Sequence, residues 1–241
     1  MHAVSVYFWL HDRSMKPFTP KVVTSSAGHI LRSYELTQPN AKWDIVFVHG
    51  TPATAANFRE QFRRPFWRAN SLTLDRPGFG ASGPDRRAPT FDDHATAIGA
   101  VLTNDPARRT ILVGHSYGAP VALVAALKFP GQIAGVVLIG GNMDPALEKT
   151  NDIQRFADWP PVSWLMTRYL RQCNRELLTL RDDLLGLRLQ LSKLSVPVVM
   201  LHGGRDYQVP ISNVEYMRAE LAALHSLETP GCRRSGNPLG D

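Results

Sequence analysis

The chain has 241 residues, 44% hydrophobic and 20% charged, with 18 glycines and 18 prolines. This is the composition of a soluble globular protein, and the length suits one large α/β domain or two small ones, with a core that needs neither disulfide nor metal. The formal net charge of +6 sits in scattered pairs (Arg63-Arg64, Arg86-Arg87, Arg108-Arg109, Arg233-Arg234) with no long run or aromatic interleaving, which argues for solvated surface and against a nucleic-acid interface.

In chain order, AVSVYFWL (residues 3–10) reads as an early strand. It is too short to span a bilayer and lacks the basic flank and small-residue cleavage site of a signal peptide, so a cytoplasmic location is expected. Strands are predicted at 30–36, 44–48, 71–74, 110–113, 133–139, 196–201 and 226–228, and helices at 54–63, 91–102, 116–128 and 212–224. The strands near 44, 110, 133 and 196 are continuous apolar runs without alternation, as in a parallel sheet covered on both faces. Strands alternating with helices imply a doubly wound sheet with right-handed crossovers.

Residues 142–193 break this rhythm. They contain no predicted strand, but carry Trp159-Pro-Pro-Val-Ser-Trp164 and a leucine-rich helical stretch from Arg175 to Leu194. The segment is too long for a plain loop. It is expected to form a small helical cap inserted after the sixth core strand, the core being 1–141 and 194–241. Cys173 and Cys232 match no metal spacing and read as two free thiols, with a single bridge as the other arrangement. No cofactor or metal site is expected.

Catalytic groups in such sheets gather at the C-terminal edges of the strands. Three loops there look chemical: HGTP (49–52), GHSYG (114–118) and LHGGRDYQVP (201–210). GHSYG fits G-x-S-x-G, a tight strand-to-helix turn that would project Ser116 as a nucleophile at the N-terminus of the next helix. The N–H groups of Tyr117 and Thr51 would then form an oxyanion hole. Asp206, following a strand and two glycines, is placed to orient an imidazole or to cap an Asx turn; Asp144 is a second candidate for the same task. His49 reads as a structural histidine within its loop.

HGTP, DRPGFGASG (75–83), VGHSYG and HGGRDYQVP occur in the order and spacing of the α/β-hydrolase superfamily, which the chain resembles over residues 28–229. It looks most like the bacterial, capped, esterase-like branch, and DPALEK (144–149) and CNRELL (173–178) resemble a short helical cap. Related epoxide hydrolases and haloalkane dehalogenases carry aspartate where this chain has Ser116, so the resemblance implies acyl transfer: hydrolysis of a carboxylic ester, thioester, amide or lactone. Carbon–carbon hydrolases and cofactor-free perhydrolases share the same loops. Trp159, Trp164, Met166 and Tyr169 would line an apolar acyl pocket or pack within the cap.

The same resemblance calls for a histidine in a loop after the last strand. The matching stretch is PGCRRSGNPLGD (230–241), which has none. His2, His11 and His29 precede the sheet core, His94 opens a surface-type helix, His115 is turned away by the elbow, and His202 reads as packing. His225 precedes the last strand and would lie about 15 Å below the catalytic edge. The change in character after Gly231 suits an altered or out-of-frame ending, a member that binds without turnover, or a substitute base. Two functions follow: a serine hydrolase acting on a small or medium acyl substrate, and a non-catalytic protein binding a hydrophobic small molecule. Oligomeric state is not legible.

Overall fold

Uninterrupted apolar runs can be satisfied only where both faces of a strand are covered, and the central strands are built this way. The structure, a computed structural model, describes Met15, residues 18–83 and 90–221, and the backbone of 224–229. The expected strand at 3–10 and the histidine-free ending at 230–241 lie outside the described residues.

The strands are β1 (Lys21–Thr24), β2 (Ile30–Leu36), β3 (Trp43–Val48), β4 (Ala69–Leu74), β5 (Arg109–His115), β6 (Ile133–Ile139), β7 (Val198–Gly203) and β8 (Leu224–Thr229). They form one eight-stranded sheet in the order β1-β2-β4-β3-β5-β6-β7-β8. The β1–β2 and β2–β4 pairs are antiparallel; every other pair is parallel. The mostly parallel α/β sheet expected from the sequence is therefore present. Strand β1 was not anticipated, because KVVT is a four-residue edge segment with most of its residues exposed.

The helices are α1 (Arg59–Arg63), α2 (Phe91–Gly99), α3 (Gly118–Lys128), α4 (Asp152–Asp158), α5 (Pro160–Leu165), α6 (Arg168–Arg188) and α7 (Ser212–Glu220). The helix expected over 54–63 divides into a 3-10 turn, Ala55–Phe58, and α1, with Thr54 and Asn57 forming a capping box at its start. The helix expected from Ser212 to Leu224 stops at Glu220, and Leu224 already belongs to β8.

Between β6 and β7, the described chain holds α4, α5 and α6 and no strand. Helix α6 begins at Arg168, seven residues before the apolar periodicity becomes visible, because its first turns are polar and the Thr167 hydroxyl caps them by accepting from the Leu170 N–H. Asn174 and Arg175 tie it to α4 through the Gln154 carbonyl (2.9 Å) and Asp158 (3.3 Å). Its later turns differ: Leu180, Leu184 and Leu187, spaced by helical turns, are buried in the same apolar cluster as α3 and the sheet. A second cluster, with Phe47, Phe58, Phe62 and Val113, covers the opposite face.

Register brings the chemical loops together. Val48 of β3 pairs with Gly114 of β5, His115 of β5 with Ile139 of β6, and Ile139 with Leu201 of β7. The segments beginning at His49, Ser116, Gly140 and Gly204 thus leave the sheet from one edge.

Candidate active site

Ser116 sits between the last residues of β5 and the first of α3 with φ of +55°, in the left-handed region that a side chain rarely occupies. Neighbouring hydrogen bonds hold it there. Its N–H donates to the Ile139 carbonyl and its carbonyl accepts from the Ala119 N–H, both at 2.9 Å. Gly118 is required by close approach: a Cβ there would lie 2.3 Å from the Val48 carbonyl oxygen and 2.7 Å from that of His49. The turn is therefore packed directly against the HGTP loop.

The Ser116 side chain is buried, and its Oγ donates to Asn142 Oδ1 at 3.2 Å. Asn142 Nδ2 in turn donates to Glu148 Oε1 at 2.9 Å. Burial pushes the Glu148 carboxyl above its ordinary range; the Asn142 hydrogen bond opposes this and Asp144 reinforces it. Asn142 and Glu148 were not singled out from the sequence, since no motif marks them.

Gly50 packs against Ser116: a Cβ on Gly50 would lie 2.8 Å from Ser116 Cβ and 3.4 Å from Ser116 Oγ. The next residue is Thr51, followed by a cis bond to Pro52. Beneath this loop lies a largely buried polar network. Arg76 donates from its backbone N–H to His49 Nε2 (3.0 Å), from Nε to the His49 carbonyl (2.9 Å), and from Nη2 to the Gly50 carbonyl (3.0 Å) and Thr51 Oγ1 (2.8 Å). Its guanidinium meets the Glu176 carboxylate in a two-point ion pair, at 2.6 Å and 3.1 Å. The Thr51 hydroxyl donates to Glu176 Oε2.

Both nitrogens of His49 are committed, Nε2 accepting from Arg76 and Nδ1 donating to the Gly50 carbonyl at 2.8 Å. Burial and then Arg76 lower its basicity well below the usual histidine range, so it is neutral and structural, as the sequence suggests. His94 requires a correction: it is fully buried and not on a surface helix face. Its Nε2 lies 2.6 Å from Glu176 Oε1 and 2.9 Å from Arg76 Nη1. A guanidinium only donates, so Nε2–H is directed at Glu176. Burial alone would raise the Glu176 carboxyl, but Arg76 and His94 outweigh it and keep it ionised, below the usual carboxylate range.

The Tyr117 side chain is likewise a packing element: its ring lies under the Arg76 guanidinium (4.8 Å) and against Phe91 (5.3 Å). Asp206 Oδ1 accepts from the Gln208 and Val209 N–H groups at 2.9 and 3.0 Å, the geometry of an Asx turn at the end of β7. Asp144 closes a similar turn by accepting from the Ala146 N–H (2.8 Å). Of the aromatics between β6 and β7, Tyr169 packs edge-on to Phe79 (5.7 Å), which itself packs on His49 and Arg76. Met166 is half-buried, whereas Trp159 and Trp164 are exposed.

His202 is buried, with Nε2 2.9 Å from the Val209 carbonyl. His225 is the second residue of β8 and pairs with Val199, whereas the C-terminal edge of the parallel strands lies at the Gly203–Thr229 pair. Four residues at about 3.3 Å each place its backbone about 13 Å below that edge. His2 and His11 lie outside the described residues. Among the described side chains, the partner of the Ser116 hydroxyl is an amide, not an imidazole. No helix among the described residues is long and apolar enough to cross a membrane, and no cluster of metal-ligating side chains occurs among them.

Comparison with known proteins places these features in a family. A model of the alpha/beta hydrolase family matches residues 45–232. The mouse (Mus musculus) protein ABHD8 is 27% identical over 223 residues, covering 78% of this chain and 50% of that protein. The chain thus spans about half the length of the curated relatives it matches. The uncharacterized hydrolase YugF of Bacillus subtilis is 32% identical over 107 residues, 44% of this chain and 39% of its own. Among solved structures, an esterase from Exiguobacterium antarcticum superposes with a TM-score of 0.68 at 19% identity, covering 87% of this chain and 90% of the esterase. A monoacylglycerol lipase from Paleococcus ferrophilus superposes with a TM-score of 0.64 at 17% identity, covering 85% and 90%. At such identities these two establish the shared fold alone. The family model covers well over half of the sequence, and the chain belongs to the alpha/beta hydrolase family.

Proposed function

We propose that the chain is a serine hydrolase that cleaves a small or medium ester-type substrate through an acyl-enzyme. The observation that carries this reading is the backbone of Ser116: a non-glycine residue held at positive φ at a strand-to-helix turn, against the HGTP loop. Such strain persists where neighbouring structure imposes it, and it sets the hydroxyl above the strand ends. In the proposed reaction, Ser116 Oγ bonds to the acyl carbon, the Thr51 and Tyr117 N–H groups receive the charge on the carbonyl oxygen, and the leaving group departs with the proton lost by the serine. Water then releases the acid. Asp206 would orient the histidine that removes the serine proton, which the described residues do not supply. Helices α4, α5 and the first half of α6 would form the cap within 142–193, with Met166 and Tyr169 facing an acyl pocket; Trp159 and Trp164, exposed in the structure, are not assigned to it. The esterase and lipase relatives of the fold support the same chemistry by analogy.

Two observations favour a second reading, a non-catalytic protein holding a hydrophobic small molecule: the Ser116 hydroxyl is bound to Asn142, and the backbone of His225 lies near the opposite end of β8 from that hydroxyl. Reaction with a fluorophosphonate probe and turnover of p-nitrophenyl acetate and butyrate separate the two. Labelling and hydrolysis that vanish in Ser116→Ala support the hydrolase. A chain that is not labelled, with background equal to that of the variant, refutes it.

A further inference from the structure

The peptide joining Gly50 to Thr51 has its carbonyl held by two donors, His49 Nδ1 at 2.8 Å and Arg76 Nη2 at 3.0 Å. This bond is trans, the cis bond being the one that follows it. In a trans peptide the N–H points opposite to the C=O. With the carbonyl drawn toward the buried guanidinium, the Thr51 N–H must face away from it. The loop carrying this peptide is packed on the Ser116 turn, since a Cβ on Gly50 would lie 2.8 Å from Ser116 Cβ. The residue is also held by its side chain, since Thr51 Oγ1 accepts from Arg76 Nη2 and donates to Glu176 Oε2.

Arg76 is itself immobilised. It follows β4, and its guanidinium lies between Phe79 and Tyr117, 4.7 and 4.8 Å from their ring centres. Its counter-ion comes from 100 residues later in the chain, on α6, and that carboxylate also receives the His94 ring. Every side chain in this set except that of Thr51 is fully buried.

We infer that Arg76, His49 and Glu176 are positioning residues for the oxyanion donor: they set the direction of the Thr51 N–H, and Glu176 makes the docking of helix α6 a condition for a correctly aimed oxyanion site. This rests on the reading of Ser116 as nucleophile and Thr51 as oxyanion donor. It goes beyond it by giving the segment between β6 and β7 a part in the chemistry and not only in covering the pocket.

A buried ion pair can be replaced as a pair by apolar residues with little loss of stability, whereas removal of one partner strands a charge. The test is therefore the double variant Arg76→Met/Glu176→Met, beside Thr51→Val and Thr51→Ser. The double variant also strands the His49 and Gly50 carbonyls and the His94 ring, so its thermal midpoint should fall; if folded, it is expected to lose about 100-fold in kcat and in the rate of fluorophosphonate labelling and to keep KM within about threefold. Thr51→Val should lose activity in the same sense, with Thr51→Ser restoring it. A purely structural ion pair would move the midpoint and leave kcat alone. A folded double variant with kcat and labelling within about threefold of the parent overturns the inference; if it does not fold, Thr51→Val decides by the same threshold. Absence of labelling in the parent chain refutes the nucleophile reading instead. The positioning is then read from a crystal structure of Thr51→Val: rotation of the Gly50–Thr51 peptide plane supports it, and a superposable plane overturns it.

Discussion

Ser116 offers a direct measure of the strain held at the elbow. Both Ser116→Ala and Ser116→Gly remove the hydroxyl and its bond to Asn142, so that loss, about 1 kcal/mol, cancels between them. What differs is the Cβ. At φ of +55° a Cβ costs about 1–2 kcal/mol, a penalty that glycine does not carry. Glycine gives back about 0.4–1 kcal/mol through the greater freedom of its unfolded chain. The difference leaves Ser116→Gly more stable than Ser116→Ala by about 0.5–1 kcal/mol, the reverse of the order at an ordinary helix-proximal position. For a chain of this size that is about 1–4 °C in Tm. Urea unfolding and thermal melts of the two purified variants, at one pH and one protein concentration, read the difference. A Ser116→Ala protein as stable as Ser116→Gly, or more stable, would refute strain at this residue and weaken the case for a nucleophile elbow.

Gly118→Ala should be severe, because the new Cβ would meet two backbone carbonyls, at 2.3 and 2.7 Å, that cannot swing away. A cost of about 3 kcal/mol, or about 6–12 °C in Tm, is expected, and a melt within 2 °C (~0.5 kcal/mol) of the parent would contradict the tight packing of α3 on the HGTP loop. Asp183, on α6, is pushed up from an ordinary 3.8 to about 6 by burial, with Asp182 and Glu176 adding to the effect and a Thr179 hydrogen bond opposing it. A carboxyl raised in the folded state costs nothing below pH of about 4, progressively more up to about 6, and its full amount above. Two units would set a ceiling of about 3 kcal/mol, which partial solvent access reduces to about 1 kcal/mol. Asp183→Asn should therefore raise Tm at pH 7.5 and leave it unchanged at pH 3.5; equal effects at both values would show that the carboxyl is not desolvated.

The sheet was largely legible in the sequence because its strands are local patterns. DIVFV, TILV and IAGVVLI are unbroken apolar runs, and each is a buried parallel strand. The elbow was legible for the same reason, since glycine, serine and glycine at a strand-to-helix junction are a local steric requirement that the contacts of Gly118 bear out. Other features left no such trace. Lys21–Thr24 is too short and polar to read as a strand, and the first turns of α6 carry no apolar stripe. His94 looked like a surface residue because its neighbours Asp92 and Asp93 are polar, yet the helix turns its ring fully inward.

By itself, then, the sequence determined most of the order of strands and helices and the presence of a serine at a sharp turn, because these depend on side-chain size and periodicity over a few residues; the family came from the resemblance of its loop motifs. The tertiary structure alone decided which polar groups are buried together. Arg76 stands in a recognisable glycine-rich loop and Glu176 in an unremarked helix, and nothing in either segment names the other. Their pairing arises because a charge leaves water only where the fold delivers an opposite charge and enough hydrogen bonds to satisfy it, and that delivery spans 100 residues of chain. The same holds for Asn142, which reaches the Ser116 hydroxyl only because β5 and β6 end side by side.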